Sequence, residues 1–203
     1  MPRIDISLRK APRQGRSQAT VDTILAAATR VLSRESLAGF NTNRVAEVAG
    51  VSVGSVYQYF PNKAAIVVAL IDRDHAELAD ALEALLNGPV RGSLRETLDD
   101  VALLLIDQQY GDPVYAAAID HEERRLPTSA HTHQADRRFA AIAQALISRH
   151  RHEISAALPD SAPRDLLVIA RAMVEADSGP GSQPPKDLRP RIVRALLGYL
   201  VMP

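Results

Sequence analysis

Apolar residues recur along most of this chain at intervals of three and four, the spacing of one face of an α-helix. Val21, Ile24, Leu25, Ala28, Val31 and Leu32 mark a first helix, running from a cap at Ser17 or Thr20 to Arg34. Phe40 follows as an apolar plug, and the period then breaks into short pieces. Val45, Val48 and Ala49 share a face of a second helix that starts at Asn41 or Thr42, and Val56 and Phe60 share a face of a third from Ser52 to Phe60. The four residues between, Ala49-Gly50-Val51-Ser52, supply a small residue, a glycine able to take positive φ, an apolar plug and a serine cap. Two short helices crossing steeply over a glycine turn make a helix-turn-helix. Pro61 interrupts, Asn62 caps, and a long helix is expected from Lys63 to about Leu86, ending at Asn87-Gly88-Pro89. At ~1.5 Å per residue it would be roughly 35 Å long.

The rest of the pattern is helical too. Helices are expected over 94–110, from Asp112-Pro113 to Leu126, over 131–158, over 163–177 and over 187–202, with 178–186 as a mobile Gly/Pro/Ser linker. No stretch alternates with period two, so the fold class is all-α with about nine helices. The organisation expected is a basic flexible arm over 1–16, a helix-turn-helix domain over 17–63 and a helical body over 64–203. The last two helices carry unusually broad apolar faces: Leu166, Leu167, Ile169, Ala170, Met173 and Val174 on one, and Ile192, Val193, Leu196, Leu197, Leu200 and Val201 on the other. Periodicity alone allows such faces to close the core or to meet a second copy.

Composition sharpens this picture. The chain is 46% hydrophobic with 3 Phe, 5 Tyr and no Trp, so its core must be built from Leu, Val, Ile and Ala. The absence of cysteine excludes disulfides and thiol chemistry. No apolar run approaches the ~20 residues that span a bilayer, and with no export signal a cytoplasmic location is expected. The formal charge of zero hides a segregation: residues 1–63 hold 9 Lys+Arg against 4 Asp+Glu, and residues 64–203 hold 15 against 20. A basic head on an acidic body suits a phosphate-binding head, although such asymmetry can also be a solvated surface.

The run Ala49-Gly-Val-Ser-Val-Gly-Ser-Val-Tyr-Gln-Tyr-Phe-Pro-Asn-Lys63 resembles the DNA-binding signature of the TetR/AcrR family of bacterial regulators. The match covers about residues 15–75, a third of the chain. The resemblance implies a sequence-specific DNA-binding transcriptional regulator, in the commoner case a repressor released from a near-palindromic duplex operator by a small-molecule effector. It implies an effector-binding body and a homodimer formed by the last two helices through Leu166, Ile169, Ala170, Met173, Ile192, Val193, Leu196, Leu197 and Leu200.

In the head, Thr42 is placed to meet a phosphate at a helix N-terminus. The resemblance sets Asn43 near base edges and Arg44 near backbone or guanine, the alternative for Arg44 being a solvated surface arginine. Ser55, Tyr57 and Tyr59 match positions that contact phosphate or bases, with Gln58 beside them. Tyr57 could instead be core, since it neighbours the Val56/Phe60 face. Val53 lies at the core's edge by spacing and at the groove by resemblance. Gly54 would let the DNA backbone come close, and Lys63 is the clearest phosphate contact. For the effector pocket, Leu104, Tyr110, Tyr115 and Phe139 could form the wall, with His121, Glu122 or Arg125 for polarity; ordinary core or surface roles remain open for each.

Other chemistry finds little support. The pairs His131/His133 and His150/His152 have a spacing that points their rings to opposite sides of a helix, so no metal site is expected. No nucleophile elbow, His-Glu-x-x-His or phosphate loop occurs, so neither an enzyme nor a cofactor is expected beyond the effector. The alternatives retained are a helical adaptor and a DNA-binding regulator without a ligand.

Overall fold

A computed structural model describes residues 15–88, 92–126 and 129–202. Among these the fold is all-α: α1 (Gly15–Gly39), α2 (Thr42–Ala49), α3 (Val53–Tyr59), α4 (Lys63–Asn87), α5 (Leu94–Tyr110), α6 (Pro113–Arg125), α7 (Ser129–Arg149), α8 (Ala162–Glu175) and α9 (Leu188–Val201). The basic arm expected over 1–16 falls, up to residue 14, outside the described residues. None of the described helices is long and apolar enough to cross a membrane. The chain divides into two compact units: one up to Asp74 joined by Val114–Ser129, the other His75–Pro113 with Ala130–Pro203. The first unit therefore runs along α4 to Asp74 and takes in α6, where the sequence suggested an end at residue 63.

The first unit is built around the apolar stripe of α1. Ile24, Ala27, Ala28, Val31 and Leu32 meet Val45 and Ala46 of α2, Val56 and Phe60 of the turn-helix pair, and Ile66, Val67, Leu70 and Ile71 of α4 in one buried cluster. Ala118 and Ile119 of α6, with Leu126 just beyond it, complete it. The expected stop of α1 at Arg34 lies two residues before a break at Ser36, whose φ of 54° and ψ of −166° fall in a region otherwise reserved for glycine, and a further short helical stretch carries the element to Gly39. A serine held there costs on the order of 1–3 kcal/mol.

A buried polar tie also runs through this unit. Asp74 is only 8% exposed, and one of its carboxylate oxygens accepts from the Tyr115 hydroxyl at 2.7 Å. The neighbouring Arg73 guanidinium donates to Thr29 Oγ1 at 2.9 Å. The tie thus joins α1, α4 and α6. Burial, with the Asp74 charge, pushes the Tyr115 phenol far above its ordinary pKa.

In the second unit α5, α8 and α9 pack against one another, and their cluster includes Leu94, Leu98, Ala102, Leu166, Ala170, Leu188, Ile192, Val193, Leu196 and Leu200. Helix α7 ends at Arg149, nine residues before the expected Leu158. His150 is fully buried, with Nε2 3.0 Å from Thr97 Oγ1 and Nδ1 2.9 Å from Glu153. The Glu153 carboxylate in turn accepts the Leu94 N–H at 2.9 Å, capping α5. Continuing the helix would carry Glu153 away from that N-terminus, so these bonds stop α7. The 178–186 segment contains a defined turn. Pro180-Gly181 sits at the centre of a tight turn, with Gly181 at φ +76° and Ser182 N–H donating to Gly179 O at 3.0 Å, the arrangement of a type II turn.

Six of the nine residues expected at a dimer seam, Leu166, Ala170, Ile192, Val193, Leu196 and Leu200, are instead buried in this unit's own core. The same 3.6-residue period generates an inward stripe and its neighbouring outward one, and these six residues belong to the inward stripe. Ile169, Met173 and Leu197 remain half-buried at its edge, and Val168 and Val201 stand exposed.

Candidate nucleic-acid interface

The chemistry of the turn explains its geometry. Asn41 caps α2, its Oδ1 accepting the Arg44 N–H at 2.9 Å. At the other end Gly50 adopts the left-handed conformation, φ 67°. The Gly50 N–H then reaches Glu47 O and the Val51 N–H reaches Ala46 O, both at 3.1 Å, which is the Schellman pattern that stops a helix. Ser52 caps α3 by accepting the Ser55 N–H at 3.0 Å, and its hydroxyl lies 2.8 Å from that of Ser55. Phe60 leaves the helix in an extended conformation, and Asn62 caps α4 by accepting the Ala65 N–H at 3.0 Å. Every turn of the motif is thus closed by a side chain or a glycine already legible in the sequence.

This frame presents a polar face. Asn43, Gly54, Gln58 and Lys63 are exposed, and Thr42 and Ser55 are half-buried. Val53 is 37% exposed and Tyr57 40% exposed, which resolves both open readings toward the surface. The Tyr57 hydroxyl lies 3.1 Å from Thr42 Oγ1, joining the start of α2 to α3. Gly54 is crowded by nothing: the nearest atom to an added Cβ would be Ser52 Oγ at 3.7 Å, an ordinary van der Waals contact.

Two expectations change. Tyr59 is 8% exposed and belongs to the core. It lies three residues after Val56 and next to Phe60, so the helical period that put Val56 and Phe60 inside takes Tyr59 with them. Arg44 is not a free cation. Its Nε donates to Glu35 Oε1 at 2.7 Å, and a second guanidinium nitrogen lies 2.8 Å from Glu47 Oε2. Hydrogen bonds from Glu35 and then Glu47 raise its pKa still further. Glu47, three residues on, was a visible partner; Glu35, nine residues back across the Ser36 break, was not.

The seven residues considered for an effector wall fall in both units. One recess of about 200 Å³ in the first unit gathers His121, Glu122 and Arg125 with Leu37, Phe40, Lys63 and Val67, and Arg125 pairs with Glu122 at 3.0 Å. Tyr115, also in the first unit, is committed to Asp74. In the second unit Tyr110 donates to Val174 O at 3.2 Å, Phe139 meets the His75 ring edge-to-face at 5.9 Å, and Leu104 packs against the core. Among the described residues no three His, Cys, Asp or Glu side chains gather as a metal site would require.

Comparison with known proteins agrees with this architecture. Residues 24–70 match the model of the bacterial regulatory proteins of the tetR family. A TetR transcription regulator from Haloarcula marismortui superposes with a TM-score of 0.70 at 16% identity, over 90% of this chain and 97% of that one. The regulator FadR from Bacillus subtilis, solved in complex with stearoyl-CoA, gives 0.68 at 20% identity over 89% and 97%. A TetR regulator from a Rhodococcus species gives 0.63 at 19% over 92% and 98%. A search of curated proteins finds no significant match. The helix-turn-helix lies inside the matched segment, and the chain shares the helical fold of these regulators over some nine-tenths of its length.

Proposed function

We propose that the protein is a homodimeric repressor that binds a near-palindromic duplex operator through α2 and α3 and leaves it when a small molecule binds the helical body. The observation that carries the first part is the polar face around Gly54. Thr42, Asn43, Tyr57 and Gln58 surround a helix position where no side chain stands, so a duplex backbone could approach closely while hydroxyls and amides reach phosphates and base edges. Two such faces in a dimer must lie one helical turn, ~34 Å, apart. The outward residues Ile169, Met173, Leu197, Val168 and Val201 of α8 and α9 supply the seam in this reading. Acting on the genome sets its place in the cytoplasm.

Effector release rests on two supports: the FadR relative is solved with a ligand, and α4 belongs to both compact units. A tilt of α4 would change the spacing of the recognition helices. A coupling of ~3 kcal/mol changes affinity about 150-fold, and linkage makes it reciprocal. No catalytic role enters the proposal.

Selection of duplexes from a random-sequence pool tests DNA binding directly. A palindromic motif should emerge, with log affinity falling against log salt by about 0.9 per phosphate neutralised. A pool that enriches no motif would refute the reading. Calorimetry of an identified effector with and without the selected duplex tests release, and equal effector affinities would leave a DNA-binding regulator without a switch.

A further inference from the structure

We infer that Glu35 and Glu47 hold Arg44 in reserve, so that it is a conditional DNA contact and the two carboxylates set how sharply the protein distinguishes its operator from other DNA. The inference deepens the DNA-binding reading above and rests on it. Three independent features build the arrangement. The Arg44 guanidinium is bonded on one side to Glu35 at 2.7 Å and on another to Glu47 at 2.8 Å. Glu35 reaches it because the α1 backbone breaks at Ser36, φ 54°. And Gly39 leaves room for the Glu35 side chain, since a Cβ at Gly39 would fall 2.5 Å from Glu35 Cβ and 2.8 Å from its Oε2. A strained serine and a glycine with a crowded Cβ position thus both serve one carboxylate.

The physical consequence is selective. A guanidinium already held by two carboxylates gains little by exchanging them for one phosphate, because the exchange strands two negative charges beside a polyanion. A guanine edge strands the same two charges but returns two hydrogen bonds in the geometry of the guanidinium fork, at a place fixed by the base sequence. Only a duplex on which the other contacts of α2 and α3 are also in register offsets the cost of leaving Glu35 and Glu47 and draws Arg44 out. Random phosphate does not.

The test compares wild type, Glu35→Gln, Glu47→Gln, Arg44→Ala and the Arg44→Ala combinations. Each binds a fluorescent duplex selected by the wild-type protein and a scrambled duplex of equal composition, across a salt series. Circular dichroism checks each fold, and Glu47→Gln, at an exposed position, provides a folded variant should Glu35→Gln disturb the break. Freeing Arg44 should let it neutralise one more phosphate on the scrambled duplex, so the salt slope there should steepen by about 0.9. The ratio of selected to scrambled affinity should fall. In the Arg44→Ala background neither change should survive. Equal effects of Glu35→Gln and Glu47→Gln with and without Arg44 would overturn the inference, since they would reflect only the loss of negative charge. A selected duplex that wild type fails to distinguish from the scrambled one would instead overturn the DNA-binding reading itself.

Discussion

Replacing Gly54 by alanine should make the protein more stable and a poorer DNA binder at once. Gly54 is the second residue of α3, and an added Cβ would meet only Ser52 Oγ at 3.7 Å. Nothing in the chain itself asks for a glycine there. Alanine lowers the backbone entropy of the unfolded chain and suits a helix better, by roughly 0.5–1 kcal/mol. For a protein of 203 residues that corresponds to a rise in Tm of about 1–4 °C. On DNA the sign reverses. If the backbone at Gly54 is the point of closest approach, the methyl group must push the helix outward and loosen the contacts of Tyr57 and Gln58 beside it. Loss of one or two good contacts is worth about 1–3 kcal/mol, some 5- to 150-fold in Kd. Thermal unfolding followed by circular dichroism gives the first quantity, and anisotropy titration of a selected duplex gives the second. A variant that is destabilised would show that the fold needs this glycine after all. One that is stabilised and binds the duplex as tightly as wild type would show that DNA does not approach here.

Leu196 and Leu197 should behave differently although adjacent. Leu196 is 2% exposed, so Leu196→Glu buries a carboxylate in the core and should abolish cooperative unfolding, whereas Leu197→Glu should give a folded monomer by light scattering. Tyr115→Phe leaves Asp74 without its 2.7 Å hydroxyl donor and should cost about 1–3 kcal/mol in denaturant unfolding. The Glu153 carboxyl is held below its ordinary pKa, chiefly by its hydrogen bond with His150. Its contribution is therefore complete above the unfolded-state carboxylate pKa and is lost as pH falls through the lower folded value. Glu153→Gln should flatten the acid limb of a stability-versus-pH curve relative to wild type, and parallel curves would refute the assignment.

What the sequence reveals here is local, and what it conceals is tertiary. Asn41, Gly50, Ser52 and Asn62 act on residues one to four positions away, so the whole helix-turn-helix could be read from spacing. The inward position of Tyr59 follows equally from Val56 and Phe60, although the motif it stands in resembles one whose tyrosines meet DNA. The end of α7 was not legible, because it is decided by Glu153 reaching Leu94, 59 residues away. Nor could periodicity separate Leu196 from Leu197, since a broad apolar face gives no sign of which edge its own core will cover. Arg44 looked like a surface cation until the bend at Ser36 brought Glu35 to it.

The first compact unit is discontinuous in sequence, and this bears on how the protein can be made and rebuilt. Its core is completed by Ala118, Ile119 and Leu126, which are synthesised 44 to 52 residues after Asp74. A nascent chain cannot close the first unit until a stretch belonging to the other unit has already been synthesised. The same layout limits chimeras. A head excised at residue 74 would expose the apolar surface that α6 covers and strand the Asp74 carboxylate without Tyr115. Grafting this recognition surface onto another body therefore means carrying α6 with it, as a second insertion, or redesigning the face of α4 on which it lies.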